Sequence, residues 1–126
     1  MTGPQQDAPA ILVVEDEPLI RMEAVDMIEE AGFRTFEAAS AAQALKVLEQ
    51  EAEIAVLFTD VDMPGGMNGL ALAAEVRDRF PEMGIIIASG IVDLEGREMP
   101  PGCRFFPKPY PTSRITAALR EVTGQG

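Results

Sequence analysis

The feature that most limits what this chain can fold into is a regular alternation. Short apolar or alternating runs at 10–14 (Ala-Ile-Leu-Val-Val), 34–38, 54–58 (Ile-Ala-Val-Leu-Phe), 84–88 (Gly-Ile-Ile-Ile-Ala) and 103–106 read as strands. Three of them are apolar throughout and rich in β-branched residues, as expected of strands buried on both faces. Between them lie segments of helical spacing. In 19–31, Ile20, Ala24, Met27, Ile28 and Ala31 form one apolar face and Gly32 is the stop. Ser40 caps a helix running to residue 50, with Ala44, Leu45 and Leu48 inward. Asn68 caps 69–80, with Leu72, Ala73, Val76 and Phe80 inward, and Thr112 caps a last helix to residue 122. Strands alternating with helices predict an α/β fold: a parallel sheet with right-handed crossovers and helices on both faces. The segment 91–102 fits least well. Gly96 and the Pro100-Pro101 pair leave room for only a short or irregular fourth helix.

The length of 126 residues suits one domain, here 10–123, with 1–9 a disordered lead-in and 124–126 a frayed tail. A net charge of −11 argues against nucleic acid, which needs a concentrated basic face. There is no His, so imidazole ligands and bases are excluded within the chain. The lone Cys103 has no partner for an internal disulfide, and a reduced cytoplasmic setting is the simplest fit. No run approaches membrane-spanning length, and the start lacks the features of a signal peptide.

Function is suggested by how the strands end. The first ends in Glu15-Asp16, the third in Thr59-Asp60, the fourth in Ser89-Gly90 and the fifth in Lys108. In an open parallel sheet the carboxyl ends of the strands face the crevice where ligands bind. With strand order 2-1-3-4-5 the switch point lies between the first and third strands, which puts Asp16 and Asp60 side by side. Two carboxylates about 4 Å apart repel by about 4 kcal/mol at an effective dielectric near 20. Such a cluster favours a hard divalent cation, Mg²⁺, with Mn²⁺ as the alternative ion. With the ammonium of Lys108 nearby, the site suits phosphoryl transfer onto Asp60. Taken singly, each residue has a plainer reading. Asp60 could be a solvated turn acid, Ser89 a small strand-end residue, and Lys108 an edge charge.

Four motifs in order, Val14-Glu15-Asp16-Glu17, Thr59-Asp60-Val61-Asp62-Met63-Pro64, Ala88-Ser89-Gly90 and Pro107-Lys108-Pro109-Tyr110, resemble the receiver domain of two-component response regulators. The resemblance covers about residues 10–122 and implies a flavodoxin-like fold. It implies Asp60 as phospho-acceptor, with Asp16, Asp60 and the backbone carbonyl of Asp62 as Mg²⁺ ligands and Glu15 acting through a metal-bound water. Ser89 would be the switch hydroxyl, Gly90 would leave the approach to the phosphoryl oxygen open, and Lys108 would be the counter-charge. Phe105 stands at the aromatic switch position without a hydroxyl, and the Lys108–Pro109 bond is expected to be cis. The loop 64–69 is one residue longer than the family's usual form.

The expected donor is a histidine kinase or phosphotransfer protein. Leu19, Met22 and Val25, at i, i+3 and i+6 on the first helix and away from its core face, would form a partner surface with Pro109 and Tyr110. Because the sequence stops after the last helix, it reads as a stand-alone receiver. It would be a monomer or weak dimer that signals to a downstream protein and contacts neither nucleic acid nor membrane. It would be no enzyme beyond phosphoryl transfer to, and hydrolysis from, its own Asp60. The alternatives are a passive phosphate sink in a phosphorelay and a small phosphohydrolase of the haloacid-dehalogenase kind. The latter also uses an Asp-x-Asp, a Ser or Thr and a Lys, but there the acidic pair follows the lysine.

Overall fold

The structure, a computed structural model, describes residues 9–61, 68–90 and 102–124. The elements run β1 (Ala10–Val14), α1 (Pro18–Glu30), β2 (Arg34–Ala38), α2 (Ala41–Gln50), β3 (Ile54–Asp60), α3 (Gly69–Arg79), β4 (Gly84–Ser89), β5 (Cys103–Pro107) and α4 (Thr112–Thr123). All strand pairs are parallel and the sheet order is β2-β1-β3-β4-β5. This is the predicted flavodoxin-like α/β architecture. The lead-in before residue 9, the loop over 62–67 and the expected irregular helix over 91–101 lie outside the described residues. Among the described residues no helix is long and apolar enough to cross a membrane.

The central strands carry side chains to two separate cores because successive residues point to opposite faces. Leu12, Val14, Leu57, Ile85 and Ile87 meet Ala44, Leu48, Leu72 and Val76 from α2 and α3. Ile11, Val13, Val56, Phe58 and Ile86 meet Val25, Ile28, Ile115 and Leu119 from α1 and α4. Burial on both faces is why these runs are apolar without alternation.

Helix starts follow local chemistry. Pro18 opens α1 at its first turn. The Ser40 hydroxyl accepts from the Gln43 N–H at 3.2 Å, and the Asn68 side chain accepts from the Ala71 N–H at 2.9 Å. Thr112 departs from expectation. It lies inside α4, whose N-cap is Pro111 and makes no side-chain cap bond.

The facing of α1 also needs correction. Val25, expected at the surface, is buried with Ala24 and Ile28, whereas Ile20, expected in the core, is 42% exposed. The buried stripe is rotated toward Phe33, which packs in the same core as Val25. At the start of α1, beyond the sheet, Ile20 faces Lys108 and Tyr110 across an open groove. Leu19 and Met22 are exposed, as expected.

Candidate functional site: an acidic cleft at the carboxyl edge of the sheet

The β1–β3 register pairs Val14 with Thr59, so the next residues, Glu15 and Asp60, emerge at the same level of adjacent strands. Asp60 also pairs with Ala88 on β4, and Ser89 pairs with Pro107 on β5. Lys108 follows at once, and its N–H donates to the Ser89 carbonyl at 2.8 Å. Its Nζ donates to Asp60 Oδ2 at 2.9 Å and lies 3.6 Å from Glu15 Oε1. Parallel registry thus brings together three charged groups from positions 15, 60 and 108. The Glu15 and Asp60 side chains are only 7% and 10% exposed, so their charges are poorly screened.

This crowding appears in the acid–base behaviour. Burial, reinforced by a hydrogen bond shared with Asp60 and by the Asp60 charge, pushes the Glu15 carboxyl up from 4.5 to about 7. The Glu17 N–H, which donates to Glu15 Oε2 at 3.1 Å, pulls the other way. Burial also pulls the Lys108 ammonium down, yet the bond to Asp60 and the charges of Asp60 and Glu15 outweigh it and the net shift is upward. Burial raises Tyr110 as well. Its ring stands edge-on to Phe58, with centroids 6.0 Å apart.

One ammonium faces two buried carboxylates here, and Asp16, half-buried, follows Glu15 directly in the chain. The donor set is all oxygen and its formal charge is uncompensated, which fits a hard divalent cation such as Mg²⁺. Among the described residues no three acidic side chains converge as a ready metal cluster. The third ligand implied by the sequence is the main-chain carbonyl of Asp62, which lies outside the described residues.

The other expected site residues fall as follows. Ser89 is fully buried at the end of β4. Gly90 is exposed, and among the described residues a Cβ there would meet nothing within 4 Å, so they supply no steric reason for glycine. Phe105 is half-buried against the α2–α3 core, on the sheet face opposite Tyr110. The Lys108–Pro109 bond is cis, as expected. Pro109 is exposed and Tyr110 partly so, and the α1 residues that line a groove with them are Ile20, Glu23, Ala24 and Met27; Leu19 and Met22 are exposed but not among these, and Val25 is buried.

Two residues that bear on the site were not singled out from the sequence. A Cβ on Gly69 would stand 2.1 Å from the Asp60 carbonyl oxygen, so only glycine lets α3 start this close to the end of β3. A glycine in the first turn of a helix that already has an Asn cap was the available signal. The second is Arg21, which reaches back from α1 to the Glu15 carbonyl at 2.7 Å.

A parallel 2-1-3-4-5 sheet with acids at the ends of β1 and β3 and a lysine just after β5 defines a doubly wound α/β protein with a charged cleft at its carboxyl edge. The chain belongs to the response regulator receiver domain family, whose sequence model matches residues 11–120. It is 33% identical over 116 residues to sensor kinase CckA of Brucella abortus, an alignment covering 89% of this chain and 12% of that protein. The chain therefore spans only a small part of that relative. Its fold matches the response regulator receiver protein from Sinorhizobium medicae with a TM-score of 0.87 at 25% identity, covering 95% of this chain and 98% of that one. It also matches the fold of the response regulator TrrA from Thermotoga maritima, solved in complex with Mg²⁺–BeF, with a TM-score of 0.83 at 23% identity, covering 90% of this chain and 98% of that one. Receiver domains are regulatory rather than classical enzymes, and their family binds Mg²⁺ and interacts with histidine kinases or phosphotransfer proteins.

Proposed function

We propose that this receiver accepts a phosphoryl group on Asp60 from the phosphohistidine of a kinase or phosphotransfer protein, and that the phosphorylated state is read by a protein partner. The observation that carries the proposal is the placement of Asp60 at the end of the central strand, with Lys108 Nζ 2.9 Å from its carboxylate. An Asp60 oxygen attacks phosphorus, the new O–P bond forms as the P–N bond breaks, and the departing imidazole keeps the electron pair and is protonated. Lys108, already on Asp60, stays to neutralise the phosphoryl oxygens as charge spreads over them. The buried Ser89 hydroxyl, whose register partner on β5 is Pro107, the residue just before Lys108, is the donor that turns to the phosphoryl group.

Asp16 and Asp60 would hold Mg²⁺, with the Asp62 carbonyl completing the protein ligands and Glu15 acting through a metal-bound water. When bound, the ion supplies positive charge to the phosphoryl oxygens and relieves repulsion among the carboxylates. The donor protein would dock on the exposed Leu19 and Met22 together with Pro109 and Tyr110, because a phosphohistidine must enter beside Lys108 to reach Asp60. Glu15-Asp16 just after β1, preceding the acceptor strand, supports this reading over a haloacid-dehalogenase-like hydrolase.

The test is intact mass after incubation with acetyl phosphate and Mg²⁺. The wild type gains one phosphoryl group and Asp60→Asn gains none. A gain that persists in Asp60→Asn sinks the assignment.

A further inference from the structure

Among the described residues, one side chain from outside the loop that presents Glu15 and Asp16, that of Arg21, bonds its backbone. Arg21 sits at the end of the first turn of α1, where its own N–H makes a 2.9 Å bond to the Glu17 carbonyl. Its guanidinium turns back along the helix. Nη1 donates to the Glu15 carbonyl at 2.7 Å, and Nε donates to Glu37 Oε1 at 3.0 Å. Glu37 belongs to β2, opposite Val13 in the β1–β2 register, and the Glu15 N–H is held by the Ala38 carbonyl at 3.1 Å. One planar fork therefore joins the start of α1, the end of β1 and the end of β2.

We infer that Arg21, oriented by Glu37, is a positioning residue that sets the aim of Asp16 and Glu15 toward a divalent cation; the inference rests on the metal reading proposed above. The Glu15 carbonyl and the Asp16 N–H belong to one planar peptide unit, so a bond to the carbonyl fixes the plane from which the Asp16 side chain departs. The bond is charge-assisted and the Arg21 side chain is only 20% exposed, so it resists competition from water better than a surface pair does. The carboxylates need an external strap because they repel one another and Lys108 pairs only with Asp60 and Glu15 among them. A guanidinium can meet a carbonyl and a carboxylate at once through separate N–H groups. A lysine ammonium, a single point donor, cannot span the two in the same way.

The experiment is calorimetric titration of the full chain with MgCl₂, paired with melting in EDTA, for wild type, Arg21→Gln, Arg21→Lys and Glu37→Gln. Outer partners of metal ligands typically change affinity by 10–100-fold, so Arg21→Gln and Arg21→Lys should each weaken Mg²⁺ binding by about tenfold. Glu37→Gln, at a half-exposed position that should not endanger folding, should weaken it by a smaller but measurable factor. A merely structural strap would lower the melting temperature in EDTA and leave the Mg²⁺ dissociation constant alone. Constants within about twofold of wild type for all three variants, the scatter expected of uncoupled sites, overturn the inference. If Arg21→Gln does not fold, Glu37→Gln and Arg21→Lys decide it. A wild type that binds no Mg²⁺ overturns the metal reading itself, a result distinct from wild-type binding that the variants leave unchanged.

Discussion

Glu15→Gln should stabilise the metal-free protein at alkaline pH, although it removes an acid from the proposed site. Glu15 is buried beside Asp60, and its carboxyl titrates at about 7 rather than 4.5. Because the folded value lies above the unfolded one, the protonated acid is favoured by the fold. That contribution is fully present below pH 4.5 and is lost as the pH rises through 7. A displacement of this size corresponds to about 3 kcal/mol at pH 8, at about 1.4 kcal/mol per pH unit. Gln keeps the shape and an oxygen for the Glu17 N–H but loses the attraction to Lys108 at 3.6 Å. About half the gain should therefore survive, and a melting temperature higher by about 3–8 °C is expected for a domain of this size. Thermal melts in EDTA at pH 8 and pH 5 check this. The variant should be the more stable at pH 8 and nearly equal to wild type at pH 5, while millimolar Mg²⁺ should stabilise wild type more than the variant. A variant destabilised equally at both pH values would refute the reasoning, since Glu15 would then carry no strained buried charge.

Other perturbations separate site from scaffold. Gly69→Ala must move α3 off the Asp60 carbonyl and should cost about 2–3 kcal/mol in denaturant unfolding, whereas an unchanged midpoint would mean the helix start yields freely. Met22→Glu, on the exposed start of α1, should slow phosphotransfer from a protein donor but leave acetyl phosphate labelling intact; equal loss of both would point to a damaged fold. Val25→Glu places an unpaired carboxylate in the α1–α4 core and should destabilise the chain by several kcal/mol, read as a much lower melting temperature. Asp16→Asn should remove most of the melting-temperature gain from Mg²⁺, and a mutant that gains as much as wild type would strike Asp16 from the ligands.

How far the sequence could be read depended on whether the signal was local. The strands at 10–14, 54–58 and 84–88 announced themselves because burial on both faces leaves no place for polar residues. Parallel registry brings the acids after β1 to Asp60 and Lys108 as expected, although it is Glu15, rather than the expected Asp16, that stands level with Asp60. Ser40 and Asn68 were legible as caps because the capping bond spans only three residues. The facing of α1 was not legible. Helical spacing gives a stripe but not its rotation, which depends here on Phe33 joining the core beside Val25. Gly69 and Arg21 escaped for the same reason, because what makes them matter is a backbone carbonyl brought close by the fold.

The central claim is that phosphoryl groups end on one carboxylate, and reductive trapping tests it most directly. Borohydride reduces an acyl phosphate to the alcohol, so protein labelled by acetyl phosphate and then reduced carries a permanent mark where the phosphoryl group stood. Peptide sequencing by mass spectrometry should find that mark at residue 60 and nowhere else. A mark at Glu15 or Asp16, or a labelled protein whose residue 60 is unaltered, would contradict the account.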